Sequence, residues 1–267
     1  MGDLNCPIID CHCHVYPAKI AAKAIAGTDS FYAAESSGLD GTVETLLEES
    51  KKAGITRSLV SSVATTPKQV HAANSFLADC AREYPESVTA LGTLYPASET
   101  QEADVEEAIA LGIRAIKLHP DIQGFSVDDR RCMEIYALCE GRLPVLLHTG
   151  DHRYDFSNPD RLLKVLQAFP KLQFIGAHFG SYTVWEQAEK LFGQENLWVD
   201  CSSSMPFLSD ERVMELIRGF GAERVLFGTD YPMWTPAQEL EHFLRLPLKE
   251  AEKEMILHSN AEKLFGL

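Results

Sequence analysis

Two histidines one residue apart, His12 and His14, stand in the run Asp10-Cys11-His12-Cys13-His14 at the end of the first apolar stretch. Side chains alternate along a strand, so His12 and His14 share one face while Cys11 and Cys13 point the other way, toward a helical layer. Paired imidazoles suit a borderline divalent cation. Lys117, His148, His178 and Asp230 close or nearly close later apolar runs. The reading is that these distant positions converge on one metal ion. A catalytic metal takes roughly three or four protein ligands and keeps a position open for water. His12, His14, His148 and Asp230 supply that set. His178 is then placed to hydrogen-bond a metal-bound water or a substrate carbonyl. Asp230 can ligate and also accept a proton from that water, whose pKa the metal lowers to about 7.

Lys117 and His119 share a strand face just before Pro120. Lys117 is read as a substrate contact, an ammonium for a carboxylate, in preference to a carboxylated lysine bridging two metals; a pairing with Asp230 is the plain structural alternative. His119 is read beside it, touching substrate or backing the site. A lone strand-end histidine is usually structural, so the weight lies on the set. His71, His242 and His258 fall on predicted helices and read as structural, and His152 lies in a polar loop. Asp200 could back a ligand, and Ser202, Ser203 and Ser204 could line the mouth. Cys201 ends a strand near the site but has no partner for a nucleophilic role. No Gly-x-Ser-x-Gly elbow is present, which argues against a serine hydrolase.

The elements that must hold these residues repeat one pattern. Short apolar, β-branched runs are predicted at 8–14, 57–63, 88–95, 113–119, 144–148, 174–178, 197–201 and 225–230. Amphipathic stretches lie between and after them, at 41–53, 67–83, 99–111, 128–140, 158–169, 182–192, 209–219 and 236–243. Gly54, Gly112 and Gly141 sit where helices should stop, and Asn158-Pro159 reads as an N-cap followed by proline at the first helical position. Strands alternating with helices imply a parallel sheet. Eight units over 267 residues predict an α/β protein of the (β/α)8 TIM-barrel class, a single domain whose strand ends open on one face. An open doubly wound sheet is the alternative; no glycine-rich phosphate loop follows the first strand to favour it. The segment 15–40 is longer than a usual βα connection and reads as a lid insertion or a surface excursion. Residues 248–267 read as closing helices.

The chain carries 39 acidic and 24 basic residues, a formal charge of −15. That charge disfavours nucleic acid and anionic membranes as partners and leaves a small-molecule substrate. No apolar run is long enough to span a bilayer, and Met1–Asn5 lacks the basic start of a leader. Cys6 stands where a myristoylation motif wants Ser or Thr. Seven scattered cysteines, an odd number, fit reduced thiols and a cytoplasmic location.

These motifs together resemble the amidohydrolase superfamily, in the amidohydrolase-related branch that includes aminocarboxymuconate-semialdehyde decarboxylase. The matching pieces are Ile9 to His14, Ile116-Lys117-Leu118-His119-Pro120, Leu147-His148-Thr149-Gly150, Gly176-Ala177-His178-Phe179-Gly180, Leu226 to Pro232, and Asn260 to Phe265. The resemblance implies a metal-dependent barrel, usually with one zinc (manganese and a second metal stay open), His12, His14, His148 and Asp230 as ligands, and His178 over the water. It departs in the loops after the first and fifth strands, which select substrates. Relatives are often dimers, so a homodimer is also open. The first expectation is a hydrolase: metal-activated hydroxide attacks an amide, ester or lactone carbonyl, Asp230 passes the proton to the leaving group, and the metal or His178 stabilises the oxyanion. A non-oxidative decarboxylase on the same ligands is the alternative, with Phe31, Tyr32, Phe207 and Trp234 as an apolar platform. A TatD-type phosphoester or DNA hydrolase is a third reading, weakened by Lys117 where that family expects glutamate and by the negative charge.

Overall fold

Buried apolar runs form strands and amphipathic stretches return the chain, in a computed structural model that describes residues 6–267. Met1–Asn5, and with them the reading on a leader, lie outside the described residues. The strands are β1 (Ile9–His14), β2 (Arg57–Ser61), β3 (Val88–Thr93), β4 (Ala115–Leu118), β5 (Val145–Leu147), β6 (Phe174–Gly176), β7 (Leu197–Asp200) and β8 (Val225–Leu226). They pair in parallel, in chain order from β1 to β8.

The barrel closes through the residues that follow β8. Cys11 N–H donates to Phe227 O at 2.9 Å, Asp230 N–H to His12 O at 2.8 Å, and His14 N–H to Tyr231 O at 2.6 Å. The predicted run 225–230 therefore lies against β1, although only its first two residues form regular strand. Gly228 makes the approach feasible: a Cβ there would stand 2.9 Å from the Cβ of His12.

The helices are α1 (Ala18–Tyr32), α2 (Val43–Ala53), α3 (Val70–Glu83), α4 (Gln101–Ala110), α5 (Pro120–Gln123), α6 (Arg130–Cys139), α7 (Pro159–Ala168), α8 (Asp210–Phe220), α9 (Pro236–Arg245), α10 (Glu250–Glu254) and α11 (Asn260–Phe265), with a π-helical turn at Met255–Ser259. Strand alternation builds two cores. Val60, Ile116, Leu147 and Val199 face outward onto Leu46, Leu77, Ile135 and Leu216 of the helices. Leu59, Leu91, Ala115, Leu146, Ile175, Trp198 and Leu226 fill the interior, capped by Ala261 and Phe265 of α11.

Several local expectations shift. The register slips between Asp10 and Cys13, so strict alternation fails there: Cys13 packs in the outer core, but Cys11 joins the interior one. Asn158 holds the N-cap position of α7 without capping it: its amide nitrogen donates to Asp155 at 2.9 Å, and its Oδ1 has no partner among the described residues. The helix expected over 182–192 is a 3-10 segment at Trp185–Leu191, which frees Tyr182 as a loop residue. The excursion at 15–40 contains α1, a helix of 15 residues. No described helix is long and apolar enough to cross a membrane.

Candidate metal centre

Three groups meet at the carboxyl ends of β1 and β8. His12 Nε2 lies 3.2 Å from His14 Nε2, and Asp230 Oδ1 lies 3.5 and 3.4 Å from them. The remaining atoms of each group are held by neighbours of known chemistry. His12 Nδ1–H donates to Asp200 Oδ2 at 3.0 Å. The Ser61 hydroxyl donates to the Cys13 carbonyl, so its oxygen accepts from His14 Nδ1–H at 3.2 Å. Ser203 donates to Asp230 Oδ2 at 2.6 Å. Both imidazoles therefore turn a bare Nε2 toward the free carboxylate oxygen.

Three lone pairs converging on one point suit a cation, and the only one beside them among the described residues is the Lys117 ammonium, 2.9 Å from His12 Nε2. Their separations match the ~3.4 Å edge of a tetrahedron built on ~2.1 Å metal–ligand bonds. Charge points the same way. Burial alone would raise Asp230, yet the histidines around it, His12 foremost, hold its carboxyl far below the usual carboxylate range. Burial and then Lys117 lower His12 to about 4, against the pull of Asp200 and Asp230. The set is a carboxylate and neutral imidazoles, which fits a divalent metal.

Lys117 reaches into this group, its ammonium donating to His12 Nε2 at 2.9 Å. The side chain is fully buried, and burial lowers it to about 8, while Asp230 and Asp200 resist. Its fixed partner is thus a histidine rather than a carboxylate.

His148 and His178 stand beside the first three groups. His178 Nδ1–H donates to the Ser202 carbonyl at 2.9 Å, and its Nε2 lies 3.1 Å from His148 Nδ1. The His12 and His178 rings stack at 5.3 Å. His148 is not within the His12–His14–Asp230 group; its Nε2 faces Asp121 Oδ2 at 3.7 Å. His119 stacks on His148 at 4.0 Å between centroids. Its Nδ1 accepts from Ile122 N–H at 3.2 Å, capping α5, and its Nε2 meets the Tyr32 hydroxyl at 2.7 Å. His119 therefore touches the end of α1 and His148, and lies outside the His12–His14–Asp230 group.

Backbone conformation aims these side chains. Asp230 and His178 both sit at φ 59°, a region costing about 1–3 kcal/mol for a non-glycine residue. After β5, Gly150 at φ +83° passes so close to Tyr182 that a Cβ would meet its amide nitrogen at 2.5 Å. That contact sets the Tyr182 ring 5.5 Å from His148 and 5.3 Å from His178.

Residue types alone pointed to His12, His14, His148, His178, Lys117, His119, Asp200 and Asp230. Asp121, Tyr182 and Trp185 were missed. Asp121 follows a proline in a helix too short to leave a periodic signal, and Tyr182 was placed inside a helix that begins later. Cys201, near the site in sequence, belongs to the outer core, where burial pushes its thiol well up. Burial also raises Asp121, to about 7, with Ser157 offsetting part of the effect.

A search of curated proteins finds no match. Among solved structures, an uncharacterised TIM-barrel protein of Bordetella bronchiseptica is 27% identical with a TM-score of 0.80, over 98% of this chain and 99% of that one. A 5-carboxyvanillate decarboxylase from Novosphingobium aromaticivorans, complexed with manganese and 4-hydroxy-3-methoxy-5-nitrobenzoic acid, is 16% identical at TM-score 0.78, covering 100% and 98%. A 2,6-dihydroxybenzoate decarboxylase from Rhizobium is 18% identical at TM-score 0.75, covering 97% and 98%. These likenesses place the fold among TIM barrels. The sequence model described as amidohydrolase matches residues 9–267, so the chain belongs to the amidohydrolase family.

Proposed function

We propose that this protein is a divalent-metal-dependent, non-oxidative decarboxylase of a small carboxylated aromatic or unsaturated acid. The observation that carries the reading is an aromatic wall built over the histidines. Tyr32 and Tyr182 lie 6.2 and 5.5 Å from His148. The wall continues from Tyr182 to Trp185 at 5.9 Å, to Phe207 at 6.1 Å, and to Trp234 at 5.8 Å. Phe207 is 57% exposed, a large apolar ring left at the rim. Flat unsaturated substrates gain offset and edge-on contacts from such a wall. The decarboxylases among the structural neighbours support the same class, and the manganese in one of them makes manganese the first metal to try, with zinc the second. Hydrolysis, the first expectation from sequence, uses the same ligands but gives no reason for the aromatic wall.

His12, His14 and Asp230 would hold the metal, with His148 as the fourth ligand; when bound it supplies an electrophile for substrate oxygens. With His12 Nε2 given to the metal, the Lys117 ammonium would be released from that nitrogen to pair with the substrate carboxylate. His178, with its Nδ1 proton committed to Ser202, offers Nε2 to a substrate hydroxyl. Decarboxylation needs a proton on the carbon that loses its carboxylate. Asp230, a carboxylate at rest, relays a proton from solvent to that carbon; the carbon–carboxylate bond then breaks, its electron pair stays with the ring, CO2 leaves, and Asp230 is again a carboxylate. α1 covers the site, with Tyr32 held on His119 and Phe31 held through its carbonyl by Arg153.

The test incubates manganese- and zinc-loaded protein with a panel of carboxylated aromatics and, separately, lactones, esters and amides. CO2 release with the matching decarboxylated product is expected, reduced about 10²–10⁴-fold in Asp230→Asn. Hydrolytic products without CO2 would sink the decarboxylase reading and restore the hydrolase.

A further inference from the structure

Each histidine near the proposed centre needs its distal nitrogen fixed so that the other is presented bare. Asp200 does this for His12, Ser61 for His14, and the Ser202 carbonyl for His178. For His148 the facing group is Asp121, whose Oδ2 lies 3.7 Å from Nε2. His148 Nε2 and Asp121 Oδ1 are both buried and have no hydrogen-bond partner among the described residues. Asp121 receives one hydrogen bond, from Ser157 at 3.0 Å, and is 6% exposed. A carboxylate buried with so little support is a burden on folding. Its placement makes sense as an acceptor for an imidazole.

We infer that Asp121 is a positioning residue that accepts from His148 Nε2–H and so leaves Nδ1 bare on the side of His178. The β4 end supplies the carboxylate: Pro120 starts α5 directly after His119, and Asp121 is swung under the β5 end where His148 stands. The His119 ring, stacked on His148 with an interplanar angle of 8°, keeps the imidazole from rotating away. His119 does not compete as a third donor, because its own nitrogens are engaged by Ile122 and Tyr32. Carboxylates behind metal-bound histidines fix ring orientation and raise basicity, and losing one costs about 10–100-fold in metal affinity. The inference rests on the metal-centre reading but not on the reaction catalysed there.

The test titrates Mn²⁺ into metal-free wild type, Asp121→Ala, Asp121→Asn, His148→Ala and the Asp121→Ala/His148→Ala double variant. Free Mn²⁺ is followed by its EPR signal, and Tm is measured on the same samples. Asp121→Ala is expected to weaken binding about 10–100-fold, and Asp121→Asn about 3–10-fold because its amide oxygen still accepts. The double variant should bind no more weakly than His148→Ala alone. Affinity within about threefold of wild type in Asp121→Ala, or additive losses in the double variant, overturns the assignment. If Asp121→Ala does not fold, Asp121→Asn decides on the same threshold at unchanged Tm. Wild type that binds no Mn²⁺ refutes the metal centre, a separate result. The ¹⁵N NMR tautomer of His148 then decides: Nε2–H in wild type, lost in Asp121→Ala, upholds Asp121, and a tautomer unchanged in Asp121→Ala overturns it.

Discussion

Asp200 is the residue on which the centre leans most. One of its oxygens accepts from His12 Nδ1–H, while the other accepts the backbone N–H groups of His178 and Ser202, each at 3.1 Å. Burial would raise its carboxyl, but His12 leads the opposing charges and holds it well below the normal range. The carboxylate is therefore fixed as an acceptor on both sides. Asp200→Asn keeps the shape and reverses one bond. The amide oxygen goes to the two backbone donors, so the amide N–H faces His12 Nδ1 and drives the histidine proton onto Nε2, the metal-facing nitrogen. Losing the carboxylate that fixes a metal-bound histidine costs about 10–100-fold in metal affinity. Manganese titration should show that loss at nearly unchanged Tm, and unchanged affinity would refute the tautomer argument. This residue was legible in sequence as a carboxylate beside the site, since β7 alternation puts Asp200 in phase with interior Trp198. Asp121 was not, because its role depends on a contact between the ends of two strands that no local pattern encodes.

At the scale of elements, α9 carries a cost that its pattern conceals. Thr235 and Gln238 form a capping box and Pro236 opens the helix, all readable signals. The next residue, Glu239, is fully buried, and neither carboxyl oxygen has a hydrogen-bond partner among the described residues. Burial, then the charges of Asp230 and Asp10, push it well above 4.5. His242 stands 3.5 Å away but is itself lowered by burial. The folded pKa is raised, so the folded state keeps a proton that the unfolded chain releases. Stability is present in full below pH 4.5 and declines as pH climbs toward the folded value. The loss is at most about 1.4 kcal/mol per pH unit, or about 3 °C in Tm for a chain this long. Glu239→Gln removes that slope. Thermal melts from pH 5 to 8 should show the variant gaining on wild type as pH rises; a gap independent of pH would show that Glu239 is not held protonated. The strands and most helices were legible because one face of each is continuously apolar. The excursion at 15–40 was not, since α1 buries only Ala21 and owes its place to Tyr32, Arg153 and the Ser37–Pro232 contacts.

The whole molecule is held at the end opposite the site. Parallel strands leave an interior that opens at both ends; the upper end carries the proposed metal centre, and the lower must be closed by something else. Ala261 and Phe265 of α11 provide the closure. The sequence marked the region as helical but gave no sign of what docks it. The link is Asn260, 4% exposed, whose side-chain amide donates to the carbonyls of Ala222 at 2.8 Å and Val225 at 2.7 Å. Those carbonyls flank the start of β8, from which the chain runs on to Asp230, and Phe227 N–H donates into the π-helical turn at Ile256 O, 3.0 Å away. α11, the π-helical turn and β8 are thus one packed unit. Asn260→Ala strands two buried carbonyls, at about 2–5 kcal/mol in total, and should lower Tm by about 5–15 °C. Manganese affinity measured well below that Tm should be unchanged, because the ligands stand at the far end of the strand. A Tm within about 2 °C of wild type would show that α11 is docked by apolar contact alone. A loss of metal binding in the folded variant would instead show that β8 transmits strain from the closure to Asp230.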